Sequence, residues 1–222
     1  EKVVLSRSHH VKVGKGFSVI SAMQLLRNTY SKCTNFFFAL PDKGIFFGST
    51  PERLIKLKNH NLQTEALAGT IARGENMEED RMFRESLFQS MKERKEHDLV
   101  KEQIIRKLEP FASEINVSDY PKVLKLKNVQ HLHTPINIEL KSNISILDIV
   151  KILHPTAAVA GAPTEKAIEI IKKMETHDRG WYSGPIGWIN RNGDGEFYVS
   201  LRSAFVKNEE AHVFAGGGIV SE

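Results

Sequence analysis

The order of strand and helix signals along the chain constrains its fold more than any single motif does. In the first third, NFFFAL (35–40) and GIFFG (44–48) are apolar runs on either side of the turn signal Pro41-Asp42-Lys43. Residues 54–57 and 62–67 flank KNHN in the same way. We therefore predict two β-hairpins in this part of the chain.

Helix signals precede these hairpins and also follow them. Residues 18–30 carry apolar side chains at helical spacing, which predicts one helix before the hairpins. Residues 78–108 contain neither Pro nor Gly, so we predict that the middle third is helical. A capping-box pattern opens a helix over Ser145–Leu153, and Pro163-Thr164 begin another.

Strand signals return in the last third. We predict strands over residues 185–190, 196–206 and 212–214, in addition to a short strand over 3–5 at the start. A strand block, a helix block and a second strand block predict a mixed α/β (α+β) fold in one layered domain over residues 1–222.

Composition narrows the classes of protein that this chain can belong to. No apolar run approaches the roughly 20 residues that span a bilayer, and the start lacks the apolar core of a signal peptide. The single cysteine, Cys33, is compatible with a reducing cytosol, so we expect a cytoplasmic protein. The net charge of +4 is scattered, which favours a small anionic ligand over nucleic acid or a membrane. Since no coiled coil or long apolar stripe is evident, we expect a monomer.

Two carboxylates lie in an unusual place on the predicted long helix. Glu96, Val100, Ile104 and Leu108 recur every four residues, so Glu96 continues an apolar stripe, and Glu93 lies one turn earlier. Carboxylates that face a core need a partner, and oxygen ligands of this kind suit Mg²⁺. The alternative, which these residues alone favour, is that helix drift carries both to the surface, where they pair with Lys92 or Lys95.

Three further parts of the sequence carry features typical of ligand sites. Glycines 216–218 follow a strand signal and could expose backbone N–H groups to an anion, although they could equally form a turn. The uncharged run HPTAAVAGAP (154–163) could line a pocket or serve only packing. In the strand 197–205, Arg202 alternates with apolar residues, where solvation is the simplest interpretation.

Taken together, these segments resemble the chorismate-utilising enzymes, a family that includes anthranilate synthase component I, salicylate synthase and isochorismate synthase. The matching stretches, in chain order, are KVVLSR, STPERLIKL, TEALAGTIARG, MKERKEHDLV, NVQHLHTPI, LHPTAAVAGAP, DRGWYSGPIGW, SLRSAF and AGGGIV. The resemblance runs from Lys2 to Val220. It implies large, mostly antiparallel sheets with outer helices and an active site in a cleft between them.

Within this family, TEALAGT and DRGWYSGPIGW look most like menaquinone-specific isochorismate synthases. The resemblance implies a Mg²⁺-dependent isomerase that converts chorismate to isochorismate through attack of water at C2 and loss of the C4 hydroxyl. The alternatives are a salicylate synthase, a siderophore-pathway isochorismate synthase, and a chorismate-binding module without turnover.

The family mechanism implies a role for each matching residue. Lys2 matches the general base that activates water, which requires a lowered lysine pKa, and Glu52 matches the acid that protonates the leaving hydroxyl. Glu96 matches a Mg²⁺ ligand, with Glu93 near the same site. Tyr182 and Arg202 match residues that hold the enolpyruvyl carboxylate, so Arg202 is expected to face a ligand rather than solvent. Further substrate-binding positions implied by the resemblance are His131, Thr156, Gly216 and Gly218.

The chain is shorter than the family pattern at both ends. A region ahead of KVVLSR is missing, as is an acidic segment after AGGGIVSE that carries another Mg²⁺ ligand. We therefore expect residues 1–222 to be a fragment or the ordered part of a longer protein. The expected function belongs to that parent protein.

Overall fold

A computed structural model of the protein describes residues 1–220, so the last two residues of the predicted domain, 221 and 222, lie outside the described residues. The strands within this range are β1 (Lys2–Lys12), β2 (Thr34–Leu40), β3 (Gly44–Thr50), β4 (Arg53–Lys58), β5 (Asn61–Ala72), β6 (Ala112–Val117), β7 (Lys122–Lys125), β8 (Val129–Leu140), β9 (Gly161–Ala162), β10 (Pro185–Ile189), β11 (Gly195–Val199), β12 (Ser203–Lys207) and β13 (Glu210–Val220).

Residues 1–220 contain five α-helices, of which four begin after a residue whose polar side chain caps the helix. They are α1 (Val19–Thr29), α2 (Met77–Gln89), α3 (Met91–Leu108), α4 (Ile146–Leu153) and α5 (Thr164–Met174). The side chains of Ser18, Asn76, Ser90 and Ser145 each accept a hydrogen bond from a backbone N–H in the first turn of the helix that follows. No helix in the described part of the chain is long and apolar enough to cross a membrane.

Two antiparallel sheets form the framework. The first sheet has the order β2-β3-β12-β13-β1-β9, and the second has the order β10-β11-β4-β5-β8-β6, with β7 also paired to β8. The main core lies between the second sheet and the helices α3 and α4, and a smaller core lies between the first sheet and α1. The α/β (α+β) class with mostly antiparallel sheets and outer helices is confirmed.

The predicted strand over 196–206 is wrong, because the chain leaves one sheet for the other within it. β11 belongs to the second sheet and β12 to the first, and residues 200–202 connect them. Arg202 has a φ of 49°, a left-handed conformation that interrupts an extended strand. The alternation of apolar residues continues through the break, so a pattern of period two does not reveal it.

The middle third is also less helical than predicted. Ser90 has a ψ of 110° and separates α2 from α3, while its side chain accepts a hydrogen bond from the N–H of Glu93. β6, β7 and β8 follow α3, and the sequence analysis did not predict them. β8 alternates between buried and more exposed residues along its length, so its period-two signal was present in the sequence.

The two strands at the chain ends are longer than predicted and pair with each other. β1 pairs with β13 from Lys2 opposite Val220 to Lys12 opposite Glu210. Glycines 216–218 therefore lie inside β13 rather than after a strand, which corrects the prediction. The other edge of β1 pairs with Gly161 and Ala162, which fixes the loop 154–163 beside Lys2.

Gly161 is a position where only glycine fits. Its φ is +136°, and a Cβ atom there would lie 2.1 Å from the carbonyl oxygen of Lys2. We expect Gly161→Ala to lower the free energy of unfolding by about 1–3 kcal/mol or more, because the strain adds to a backbone clash. Gly217→Ala is the control, because a Cβ at Gly217 has no atom within 4 Å. Urea denaturation of both variants measures the difference, and equal stabilities would contradict the prediction.

Candidate active site

A cavity of about 360 Å³ lies between the two sheets. β1 and β13 of the first sheet contribute to its wall, as do β5 and β8 of the second sheet, helix α3 and the segment after α5. Predicted site residues that line it are Lys2, Glu52, Glu96, His131, Tyr182, Arg202 and Gly216. Seven positions chosen from separate motifs thus meet in one space.

Lys2 and Glu96 form a buried ion pair at one side of the cavity. The Nζ of Lys2 lies 2.9 Å from Oε1 of Glu96, and the side chains are 1% and 16% exposed. Val100, Ile104 and Leu108 are buried as the stripe on α3 predicts, so that stripe is confirmed. A Cβ at Gly218 would lie 2.7 Å from Oε1 of Glu96, so glycine there gives the ion pair room against β13.

Glu52 lies where the chain passes from β3 of the first sheet to β4 of the second. Its carbonyl accepts a hydrogen bond from the N–H of Val199, and its own N–H donates to Oγ1 of Thr50. Burial and, to a smaller extent, the charge of Glu65 raise the pKa of the Glu52 carboxyl to about 8, while Lys2 opposes the shift. The Glu52 side chain is therefore a neutral acid at pH 7.

Arg202 lies beside Glu52 in the connection from β11 to β12. Its carbonyl accepts a hydrogen bond from Ser49 N–H on β3. Its guanidinium lies 5.8 Å from the ring centroid of Tyr30, and Nη1 lies 3.8 Å from Sγ of Cys33. Arg202 is half-buried and lines the cavity, so the structure contradicts the solvated interpretation.

His131 is held between Thr70 and Arg202. Its Nδ1 lies 2.9 Å from Oγ1 of Thr70, and its Nε2 lies 3.4 Å from Nη2 of Arg202. Burial lowers the pKa of the His131 imidazole to about 4, and the neighbouring Arg202 charge lowers it as well. The ring is neutral at pH 7, so one of its nitrogens carries a proton and the other can accept a hydrogen bond.

Tyr182 forms the opposite part of the wall. Its ring stacks on Phe214 with centroids 5.1 Å apart, and burial raises the pKa of its phenol to about 12. A Cβ at Gly216 would lie 2.8 Å from the Tyr182 hydroxyl, so any larger residue would displace that hydroxyl. Tyr182 is therefore a neutral hydrogen-bonding group whose position depends on the glycine.

Arg179 also lines the cavity, and the sequence analysis gave it no role. Its guanidinium donates to the carbonyls of Val4 and Val159, and it pairs with Glu175, which accepts a hydrogen bond from Ser6 N–H. It thereby ties β1, which carries Lys2, to the loop 154–163. The sequence did offer a sign of its importance, because Arg179 belongs to the DRGWY stretch that contributed to the family resemblance.

Thr156 and Glu93 do not line this cavity. The carbonyl of Thr156 accepts hydrogen bonds from Val159 and Ala160 N–H and turns the loop, so that Val159 lines the cavity instead. Oε2 of Glu93 accepts a hydrogen bond from Thr70 N–H at 2.7 Å. These contacts give both residues a structural role in shaping the wall.

The carboxylates of α3 fit Mg²⁺ by the chemistry of their donor atoms. Mg²⁺ takes one or two protein carboxylates and completes its shell with water and substrate oxygens. Glu96 offers a carboxylate at the cavity, and Glu93 lies one turn away on the same helix. Within residues 1–220 no group of three or more His, Cys, Asp or Glu side chains could hold a metal. A Mg²⁺ ion here would therefore depend on oxygens from water and substrate.

The sequence and the fold were compared with known proteins. A family model described as chorismate binding enzyme matches residues 1–222. The salicylate biosynthesis isochorismate synthase of Pseudomonas aeruginosa is 39% identical over 223 residues, which cover 100% of this chain and 46% of that protein. Isochorismate synthase MenF of Bacillus subtilis is also 39% identical over 223 residues, with 100% and 47% covered.

A solved structure of MenF, the menaquinone-specific isochorismate synthase from Escherichia coli, matches the fold with a TM-score of 0.92. The two are 35% identical, and the match covers 99% of this chain and 50% of that one. The chain spans about half the length of the curated relatives that it matches. Because the family model matches every residue and both relatives align over the whole chain, the chain belongs to the chorismate binding enzyme family.

Proposed function

We propose that the complete natural protein is an isochorismate synthase, for which residues 1–222 supply the chorismate-binding catalytic domain. One observation carries the proposal: a buried, protonated Glu52 and a buried Lys2 line the same cavity. Exchange of a hydroxyl between two ring carbons needs one group that gives a proton and one that takes a proton. The isochorismate synthases among the relatives support the same assignment.

The reaction places Lys2 and Glu52 in complementary roles. Lys2 first releases its ammonium proton to solvent, and the free amine then takes a proton from a water molecule as the water oxygen bonds to C2 of chorismate. The ring double bond shifts, the C4–O bond breaks, and Glu52 gives its proton to the departing hydroxyl, which leaves as water. Lys2 then carries one more proton and Glu52 one fewer, and transfer of a proton through solvent restores both groups.

The remaining cavity residues are proposed to hold the substrate. The Arg202 guanidinium suits a carboxylate, and the neutral Tyr182 hydroxyl can donate a hydrogen bond to it. His131 offers a neutral ring that can exchange hydrogen bonds with a hydroxyl or a carboxylate. Gly216 lets the substrate approach the β13 backbone, and we propose that Gly218 and Thr156 support this wall from outside the cavity lining.

We propose Mg²⁺ as the cofactor, held by Glu96 with Glu93 nearby. When bound, the ion supplies positive charge that neutralises and orients the ring carboxylate of the substrate. Glu96 suits this position because it lines the cavity and already faces a cation, the Lys2 ammonium.

We further propose that the reaction serves menaquinone biosynthesis, which the structural match to the menaquinone-specific enzyme supports. A relative of equal identity is named for salicylate biosynthesis, so product analysis must separate these pathways. The cytoplasmic location and the monomeric state stay predictions.

The first test is product chromatography after the complete protein is incubated with chorismate and Mg²⁺. We expect isochorismate, and Lys2→Ala should lower kcat about 10²-fold or more because the general base is lost. Lys166→Ala is the control, since Lys166 is an exposed lysine that pairs with Glu1 outside the cavity. Salicylate and pyruvate would show a salicylate synthase instead, and chorismate binding without any product would contradict the catalytic proposal.

The protonated state of Glu52 has a consequence for stability. The carboxyl pKa is about 4.5 in the unfolded chain and about 8 in the fold, so the folded state binds the extra proton between these values. The free energy of unfolding must therefore fall as pH rises from about 4.5 to about 8, by at most about 1.4 kcal/mol per unit. Glu52→Gln is expected to remove this part of the slope.

Urea denaturation at several pH values measures the slope for the unmodified protein, Glu52→Gln and the control Glu114→Gln, whose side chain is exposed on β6. The slope should flatten in the first variant only. Identical slopes in all three proteins would show that Glu52 is ionised in the fold at neutral pH.

Magnesium binding is expected to depend on Glu96. Calorimetric titration of Mg²⁺ into the chorismate-bound protein should show that Glu96→Gln lowers the Mg²⁺ affinity by about 10-fold or more. The reason is that a charged ligand becomes neutral. Glu102→Gln is the matched control, since it changes an exposed carboxylate on the same helix. Equal Mg²⁺ affinities of all three proteins would exclude Glu96 as a ligand.

A further inference from the structure

A second glutamate, Glu65 on β5, lies outside the cavity lining and is bound to the residue that follows Glu52. Its Oε1 accepts a hydrogen bond at 2.9 Å from the N–H of Arg53, the residue that follows Glu52. Its Oε2 lies 2.9 Å from Nε2 of His133 on β8. The Glu65 side chain is 15% exposed and the His133 side chain 19%, so water screens this arrangement only in part.

The guanidinium of Arg53, whose backbone N–H binds Glu65, is paired with a different carboxylate. Nε of Arg53 lies 3.1 Å from Oε1 of Glu196 on β11, and Glu196 also accepts a hydrogen bond from the Tyr198 hydroxyl. Glu65 thus accepts a hydrogen bond from the backbone N–H of Arg53. Within residues 1–220, the Arg53 guanidinium forms its ion pair with Glu196 and not with Glu65. A negatively charged carboxylate close to a second carboxyl favours the neutral form of that neighbour.

We propose that Glu65 is a positioning residue for Glu52. Fixed by Arg53 N–H and His133, its negative charge keeps the buried Glu52 carboxyl protonated and ready to donate. This proposal deepens the proposed function and rests on it, because protonation of Glu52 matters to turnover only if Glu52 is the general acid.

Other charged groups around Glu52 raise or lower the pKa of its carboxyl. Lys2 on β1 opposes protonation of Glu52, and Glu65 on β5 favours it. Glu52 itself raises the pKa of the Tyr182 phenol, which places that hydroxyl within its field. The further titratable groups that line the same cavity are Glu96, His131, Arg179 and Arg202. Arg179 is paired with Glu175 and Glu96 with Lys2, and Glu65 is the carboxylate whose charge raises the pKa of Glu52.

Carbon-13 NMR of protein labelled at the glutamate carboxyl carbons follows Glu52 without any need for turnover, and Glu52→Gln assigns its signal. The titration midpoint of Glu52 is expected near 8 in the unmodified protein. Glu65→Gln keeps an acceptor for Arg53 N–H but removes the charge, so the midpoint should fall by about 0.5 to 1 pH unit.

Glu196→Gln is the matched control, because it removes a carboxylate from the other side of Arg53 and should leave the midpoint unchanged. Should Glu65→Gln fail to fold, Glu65→Asp withdraws the charge by one methylene and is expected to give a smaller shift in the same direction. An unchanged midpoint in the folded Glu65 variant, or equal shifts in the Glu65 and Glu196 variants, overturns the proposal.

A second readout connects the proposal to turnover. In the complete protein, the alkaline limb of the kcat/KM profile, which reports the free enzyme, should move to lower pH in Glu65→Gln by the same amount as the NMR midpoint. A protein that makes no isochorismate would refute the proposed function, while the NMR titration would still decide whether Glu65 controls Glu52. A lower kcat with an unmoved alkaline limb would reveal a purely structural role and overturn the proposal.

Discussion

The candidate site depends on two segments that cross side by side from one sheet to the other. One leads from β3 to β4 and carries Glu52, and the other leads from β11 to β12 and carries Arg202. Backbone hydrogen bonds join them, from Ser49 N–H to the Arg202 carbonyl and from Val199 N–H to the Glu52 carbonyl. The acid and the arginine therefore share one support, and displacement of either segment would move both side chains.

Lys2 lies on β1 of the first sheet and is positioned by strand pairing rather than by a crossing segment. β1 is paired on one edge with β13 and on the other with Gly161 and Ala162, and Arg179 holds the Val4 carbonyl. Because these contacts bracket the first strand near its start, the Lys2 side chain is directed to Glu96 instead of solvent. In the proposed mechanism, Lys2 on one sheet acts as base and Glu52 at the sheet junction as acid, on opposite sides of a substrate held between them.

The sequence predicted the surroundings of a residue wherever these depend on the spacing of its neighbours along one helix or strand. The stripe on α3 predicted that Glu96 lies beside a core, since helical periodicity is a local property. Arg202 was placed on a single continuous strand, because alternation cannot show that hydrogen-bond partners change from one sheet to another. The pairing of Glu65 with His133 joins β5 to β8 across 68 positions of sequence, and no local pattern could reveal it.

The charges of the cavity agree with the proposed substrate, chorismate, which is a dianion. At neutral pH Glu52, His131 and Tyr182 are uncharged, because burial shifts the pKa of each toward its neutral form. Lys2 is balanced by Glu96, and Arg179 is balanced by Glu175. Among the described residues that line the cavity, Arg202 is the cation without an acidic partner, and it can meet one carboxylate. The second carboxylate needs another positive charge, and a divalent cation at Glu96 would supply it while leaving Lys2 to act on water.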